Sequence, residues 1–130
     1  MNVTEKTTGK LRALVADDDE VMVEYVSATL QKAGYAVETC RDGMTALEKY
    51  RAAPYDAVVT DLRMPRLSGI SFLLNLRLTA DVECRFVMLS SMDDQKTRRE
   101  ALAAGACAYL VKPASQQQIL EAVTGVTANA

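Results

Sequence analysis

Short apolar runs alternate with longer stretches of helical period along the chain, and most of the runs end on polar or charged groups. That alternation limits the possible folds more than any single residue does. Residues 11–16 read as a buried strand. The next segment carries Met22, Val26, Leu30 and Ala33 at helical spacing and stops at Gly34, a residue suited to a helix C-terminus. Residues 35–40 read as a second strand, after which Asp42 is placed to cap a helix bearing Ala46, Leu47 and Tyr50, ended by Pro54. Residues 57–60 are a short β-branched strand, 61–68 a loop containing Pro65, and 69–78 a leucine-rich helix. A strand at 85–89, a helix over 93–104 ended by Gly105, a strand at 108–111 and a helix at 115–123 complete the series. Five strands alternating with five helices in 130 residues predict a parallel sheet covered on both faces with right-handed crossovers. The expected architecture is a doubly wound α/β fold in three layers.

The length and the 49% hydrophobic content suit one well-buried core, with a polar leader at 1–10, a domain at 11–124 and a frayed tail at 125–130. With 15 basic and 17 acidic residues the net charge is −2, so no direct nucleic-acid binding by this chain is expected. No apolar run reaches the length of a membrane span and the opening is too polar for a signal peptide, which predicts a cytoplasmic protein with no membrane partner. Cys40, Cys84 and Cys107 are odd in number and widely spaced, and they read as reduced thiols in the packing. Histidine is absent, which removes histidine triads, histidine general bases and imidazole metal sites. Any chemistry must rest on carboxylates, hydroxyls and amines.

In a doubly wound sheet, ligands sit beyond the carboxyl ends of the strands, and those ends carry Asp17, Asp18 and Asp19, then Asp61, then Ser90 and Ser91, then Lys112. Carboxylates brought that close need a proton or a hard cation, and Mg2+ suits oxygen ligands with retained waters. A metal held by carboxylates, with Lys112 beside it, is suited to a phosphoryl group. An aspartate can itself be the nucleophile toward phosphorus, and Asp61 is the candidate, before a loop able to turn the Arg63 carbonyl to the metal. Ser90 offers a hydroxyl to a phosphoryl oxygen, while Ser91 is small enough to leave the site open.

The segments Leu14-Val15-Ala16-Asp17-Asp18-Asp19, Val58-Val59-Thr60-Asp61-Leu62-Arg63-Met64-Pro65 with Gly69, Val87-Met88-Leu89-Ser90-Ser91, and residues 105–113 ending in Lys112-Pro113 together resemble the receiver domain of two-component response regulators. The resemblance runs from Leu11 to about Val123. It implies a flavodoxin-like (βα)5 sandwich of strand order 2-1-3-4-5. It also implies that Asp61 takes phosphate from a phosphohistidine, that Asp18, Asp61 and the Arg63 carbonyl bind Mg2+, and that Asp17 supports the metal through water. Lys112 would pair with the phosphoryl group, Ser90 would be the switch hydroxyl, and Tyr109 the aromatic that turns inward when that hydroxyl moves. The Lys112-Pro113 bond is expected to be cis, and Asp19 is read as a helix N-cap or first-turn acid. The implied partners are a sensor histidine kinase or histidine phosphotransfer protein and an unidentified downstream protein. The chain itself is expected as a free-standing monomer or a weak, phosphorylation-dependent dimer.

Helix one has an apolar excess in Val21 and Val23 beside its stripe, and by resemblance Val21, Met22 and Tyr25 are candidate kinase contacts. Residues 93–100 read as a solvated helix face bordering the output surface. Arg63 and Met92 occupy the two positions that influence hydrolysis in receivers, and neither carries a carboxylate or amide to orient water, which predicts slower self-dephosphorylation than in receivers with an acid or amide there. The chain is thus expected to be a phosphoacceptor with only self-phosphorylation and self-dephosphorylation chemistry. Two other classes share some features: an aspartate-nucleophile phosphatase of the haloacid dehalogenase type, through Asp17-x-Asp19, and a degenerate receiver acting as a scaffold. The first lacks the usual continuation after its acids and a cap segment; the second conflicts with the occupation of all five chemical positions. A flavodoxin is disfavoured because acids stand where a phosphate-cradling loop belongs.

Overall fold

A computed structural model describes residues 10–79 and 82–126. The expected leader and tail, apart from residues 10, 125 and 126, lie outside the described residues. The strands are β1 (Arg12–Ala16), β2 (Ala36–Cys40), β3 (Ala57–Asp61), β4 (Arg85–Ser90) and β5 (Ala108–Val111). Between and after them come α1 (Glu20–Lys32), α2 (Gly43–Ala52), α3 (Gly69–Thr79), α4 (Gln95–Ala104) and α5 (Gln116–Thr124). All neighbouring strands pair in parallel, in the order β2-β1-β3-β4-β5.

The burial pattern follows from that order. β1 and β3 lie inside the sheet and are buried almost throughout, whereas the edge strand β2 (Ala-Val-Glu-Thr-Cys) is mostly exposed. One cluster, with Leu14, Val58, Phe72, Phe86 and Met88, fills the face covered by α2, α3 and α4. The other, with Val15, Val26, Leu30, Val59 and Ile119, fills the face under α1 and α5. The order reverses between β1 and β3, and this opens the crevice in which such sheets bind ligands.

The helix boundaries are set by local chemistry. Asp19 caps α1 by accepting the Val21 N–H at 3.0 Å, as expected. The same helix ends where Gly34 takes a φ of 100°, with N–H groups of Gly34 and Tyr35 returning to the carbonyls of Gln31 and Leu30. Asp42 caps α2 through the Thr45 N–H at 2.8 Å, and Ser115 and Gln118 form a reciprocal capping box at α5. Three readings need correction. Val23 is buried, not surplus, because α1 packs against the sheet and α5 with a wide face; Ala33 is exposed because the helix has already ended. Cys40 and Cys84 are buried thiols as expected, but Cys107 is exposed just before the edge strand β5 begins. No helix among the described residues is long and apolar enough to cross a membrane.

Candidate functional site

The carboxyl ends of β1, β3, β4 and β5 bring the marker residues to one end of the sheet. Asp17 follows the last residue of β1 and is only 3% exposed. Its Oδ1 accepts the Asp19 N–H at 2.9 Å and its Oδ2 accepts Lys112 Nζ at 2.9 Å, so both oxygens are engaged. Lys112 also lies 3.5 Å from Asp61 Oδ2. Asp18 is exposed at the rim, and one carboxylate oxygen from each of Asp17, Asp18 and Asp61 falls within 4.8 Å of the others. Three carboxylates therefore face one ammonium.

That imbalance is visible in the proton affinities. Burial, followed by the charge of Asp17, pushes the Asp61 carboxyl from its ordinary 3.8 up to about 6, against the opposing pull of Lys112. For Lys112, burial disfavours the charge, but the Asp17 hydrogen bond and the charges of Asp61 and Asp17 together outweigh it and raise its pKa. The carboxylate cluster fits a hard divalent cation. All the side-chain donors are oxygens and none is a thiolate or imidazole, which favours Mg2+ or Ca2+ over softer metals.

The backbone around Asp61 is held by close approaches. A Cβ on Gly69 would lie 2.5 Å from the Asp61 carbonyl oxygen, so the start of α3 can sit against the end of β3 only with glycine there. The Gly69 N–H donates to the Leu62 carbonyl at 2.8 Å. Across the loop, a Cβ on Gly43 would overlap the Leu67 carbonyl. Arg66, with a φ of 71°, reaches Asp42 Oδ1 at 2.9 Å and Thr45 Oγ at 3.0 Å. The loop from Leu62 to Ser68, in which Arg63 is exposed, is thus tied to the N-terminus of α2.

On the other side, Ser90 is buried at the end of β4 and its Oγ accepts the Met92 N–H at 3.0 Å. The Lys112 N–H donates to the Ser90 carbonyl at 2.8 Å, and the Lys112-Pro113 bond is cis as expected. Tyr109 is buried, with its hydroxyl donating to the Met92 carbonyl at 2.6 Å. Of the candidate kinase contacts, Val21 is 72% exposed. Met22 and Tyr25 are half-buried, and the Tyr25 hydroxyl donates to the Ala114 carbonyl at 3.0 Å.

Asp17, Asp18, Asp61 and Lys112 thus meet in one cluster, with Ser90 at the end of the neighbouring strand. The Asp42–Arg66 clamp and the role of Gly43 had no signal in the sequence beyond a helix-cap residue, because their partners are brought near by the fold alone.

A family model described as response regulator receiver domain matches residues 13–124. The response regulator MprA of Mycobacterium ulcerans (strain Agy99) is 38% identical over 110 residues, covering 85% of this chain and 47% of that protein. The chain thus spans about half the length of the curated relatives it matches. Among solved structures, the chemotaxis response regulator CheY4 of Vibrio cholerae superposes with a TM-score of 0.82 at 32% identity, covering 89% of this chain and 98% of that one. The CheX-CheY-BeF3-Mg+2 complex from Borrelia burgdorferi gives a TM-score of 0.82 at 27% identity, covering 92% of this chain and 91% of the other.

Proposed function

Because this chain belongs to the response regulator receiver domain family, we propose that Asp61 accepts a phosphoryl group from a phosphohistidine of a sensor kinase or histidine phosphotransfer protein. The observation that carries this reading is the convergence of Asp17, Asp18 and Asp61 with Lys112 at the point where strand order reverses.

With its pKa near 6, Asp61 is mainly ionised at pH 7 and able to attack. An Asp61 oxygen forms a bond to phosphorus while the phosphorus–nitrogen bond breaks, and the electron pair leaves with the histidine nitrogen. Lys112, already 3.5 Å from Asp61, provides a cation for the transferred oxygens. Asp18, Asp61 and the Arg63 carbonyl would hold Mg2+, with Asp17 supporting it, and the metal would supply charge neutralisation and a template for the phosphoryl oxygens. Asp17 suits a supporting role because it is the most buried of the three acids and its oxygens already accept Lys112 and the Asp19 N–H.

The transfer is the working event and the chain is a phosphoacceptor in the cytoplasm, not a turnover enzyme. Its output passes through a surface governed by Ser90 and Tyr109. Phosphotransfer profiling against a panel of histidine kinases tests the reading: one or a few should label the chain rapidly with Mg2+ and none with chelator. Metal-independent labelling, or labelling retained in Asp61→Asn, would overturn it.

A further inference from the structure

Helix α4 is thinly attached at its N-terminal end. Asp94 stands at the N-cap without a side-chain capping bond, and the helix buries only Ala101 and Ala104, both in its second half. Its other end is better held: Gly105 closes it at a φ of 117°, and Arg77 from α3 donates to the Ala104 carbonyl. The first half therefore depends on what its longer side chains reach, and Arg98 reaches Tyr109 twice. The guanidinium carbon lies 5.1 Å from the Tyr109 ring centroid, and Nη1 donates to the Tyr109 carbonyl at 3.3 Å. Tyr109 donates to the Met92 carbonyl, and the Met92 N–H donates to Ser90 Oγ. A continuous set of contacts thus runs from α4, through β5 and the β4–α4 loop, to the Ser90 hydroxyl.

We propose that Arg98 is a positioning residue that holds the Tyr109 ring inward and so joins the first half of α4 to the Ser90 side of the phosphoryl site. The inference rests on the phosphoacceptor reading and extends it to a side chain outside the pocket, on a helix face whose charges otherwise read as solvated. The fork of an arginine suits this double contact: its central carbon lies over the ring while one N–H meets the carbonyl. Arg98 itself is exposed, so loss of its guanidinium from the buried Tyr109 ring shifts a two-state ring equilibrium by about two- to fivefold. Because linkage is reciprocal, a ligand favouring the inward ring loses affinity on removal of Arg98, by no more than that factor.

The test uses the whole chain labelled with 3-fluorotyrosine, with the Tyr109 fluorine resonance assigned by Tyr109→Phe. In Arg98→Ala the resonance should move toward the value of a solvent-exposed ring, and Arg98→Lys, which keeps the charge without the fork, should move it less. A Tyr109 resonance unchanged in Arg98→Ala would overturn the proposal. Beryllofluoride titration with Mg2+ supplies the second arm. Arg98→Ala should weaken binding in the parent but have almost no effect in a Tyr109→Ala background; equal losses in both would also overturn it. A parent that fails to respond to beryllofluoride would instead count against the phosphoacceptor reading, while the ring position in the free protein would still decide the role of Arg98.

Discussion

Replacing Asp61 by Asn should make the chelator-treated protein more stable, although it removes the residue on which the proposed function rests. Asp61 is protonated in the folded protein up to about pH 6, whereas an unfolded aspartate titrates near 3.8. Below pH 3.8 both states hold the proton and nothing is gained or lost. Between 3.8 and 6 only the folded state retains it, so stability falls as pH rises; above 6 the full penalty of an ionised, half-buried Asp61 beside Asp17 remains. At ~1.4 kcal/mol per pH unit the gap amounts to about 3 kcal/mol. Asn keeps the shape without the charge, and Lys112 can still pair with Asp17, so a gain of about 1–3 kcal/mol is expected at pH 7. Urea unfolding with EDTA, in the parent and in Asp61→Asn, should separate the midpoints by about 1 M or more at pH 7 and bring them together as the pH approaches 4. An Asn variant less stable than the parent at pH 7, or a difference independent of pH, would refute the electrostatic account of the pocket.

Lys112→Ala leaves the neighbouring Asp17 and Asp61 without their ammonium; it should cost about 2 kcal/mol in chelator by urea unfolding, and Mg2+ should recover much of that loss. Gly43→Ala forces a methyl onto the Leu67 carbonyl and should lower stability by about 1–3 kcal/mol while weakening Mg2+ binding, read by calorimetry. Met92→Glu introduces a group able to orient water, and the loss of phosphoryl label over time should accelerate by about tenfold or more.

The fold was legible because its signals are local and repeated. The buried runs of β1 and β3, the caps at Asp19 and Asp42, and the helix stops at Gly34 and Gly105 each act within a few residues of themselves. The pocket was legible for a different reason: a doubly wound sheet sends strand ends to one crevice, so Asp17, Asp18, Asp61, Ser90 and Lys112 could be placed together without knowing any distance. What escaped was contact between residues on separate elements. Arg98 looked like part of a solvated face until β5 was set beneath it, and Arg66 reaches Asp42 across 24 residues of chain. The exposure of Cys107 and the burial of Val23 carry little signal, because a position just before a four-residue edge strand, or one turn of a helix packed on two neighbours, has too little periodicity to assign a side.

The central claim, that Asp61 takes the phosphoryl group with help from a divalent cation, is tested most directly by intact-mass measurement after incubation with a small phosphodonor and Mg2+. One phosphoryl mass per chain is expected, stable in acid and labile in base, absent with chelator and absent in Asp61→Asn. A phosphoryl adduct that persists in Asp61→Asn, or a parent that gains none under conditions where a control receiver is labelled, would contradict the account.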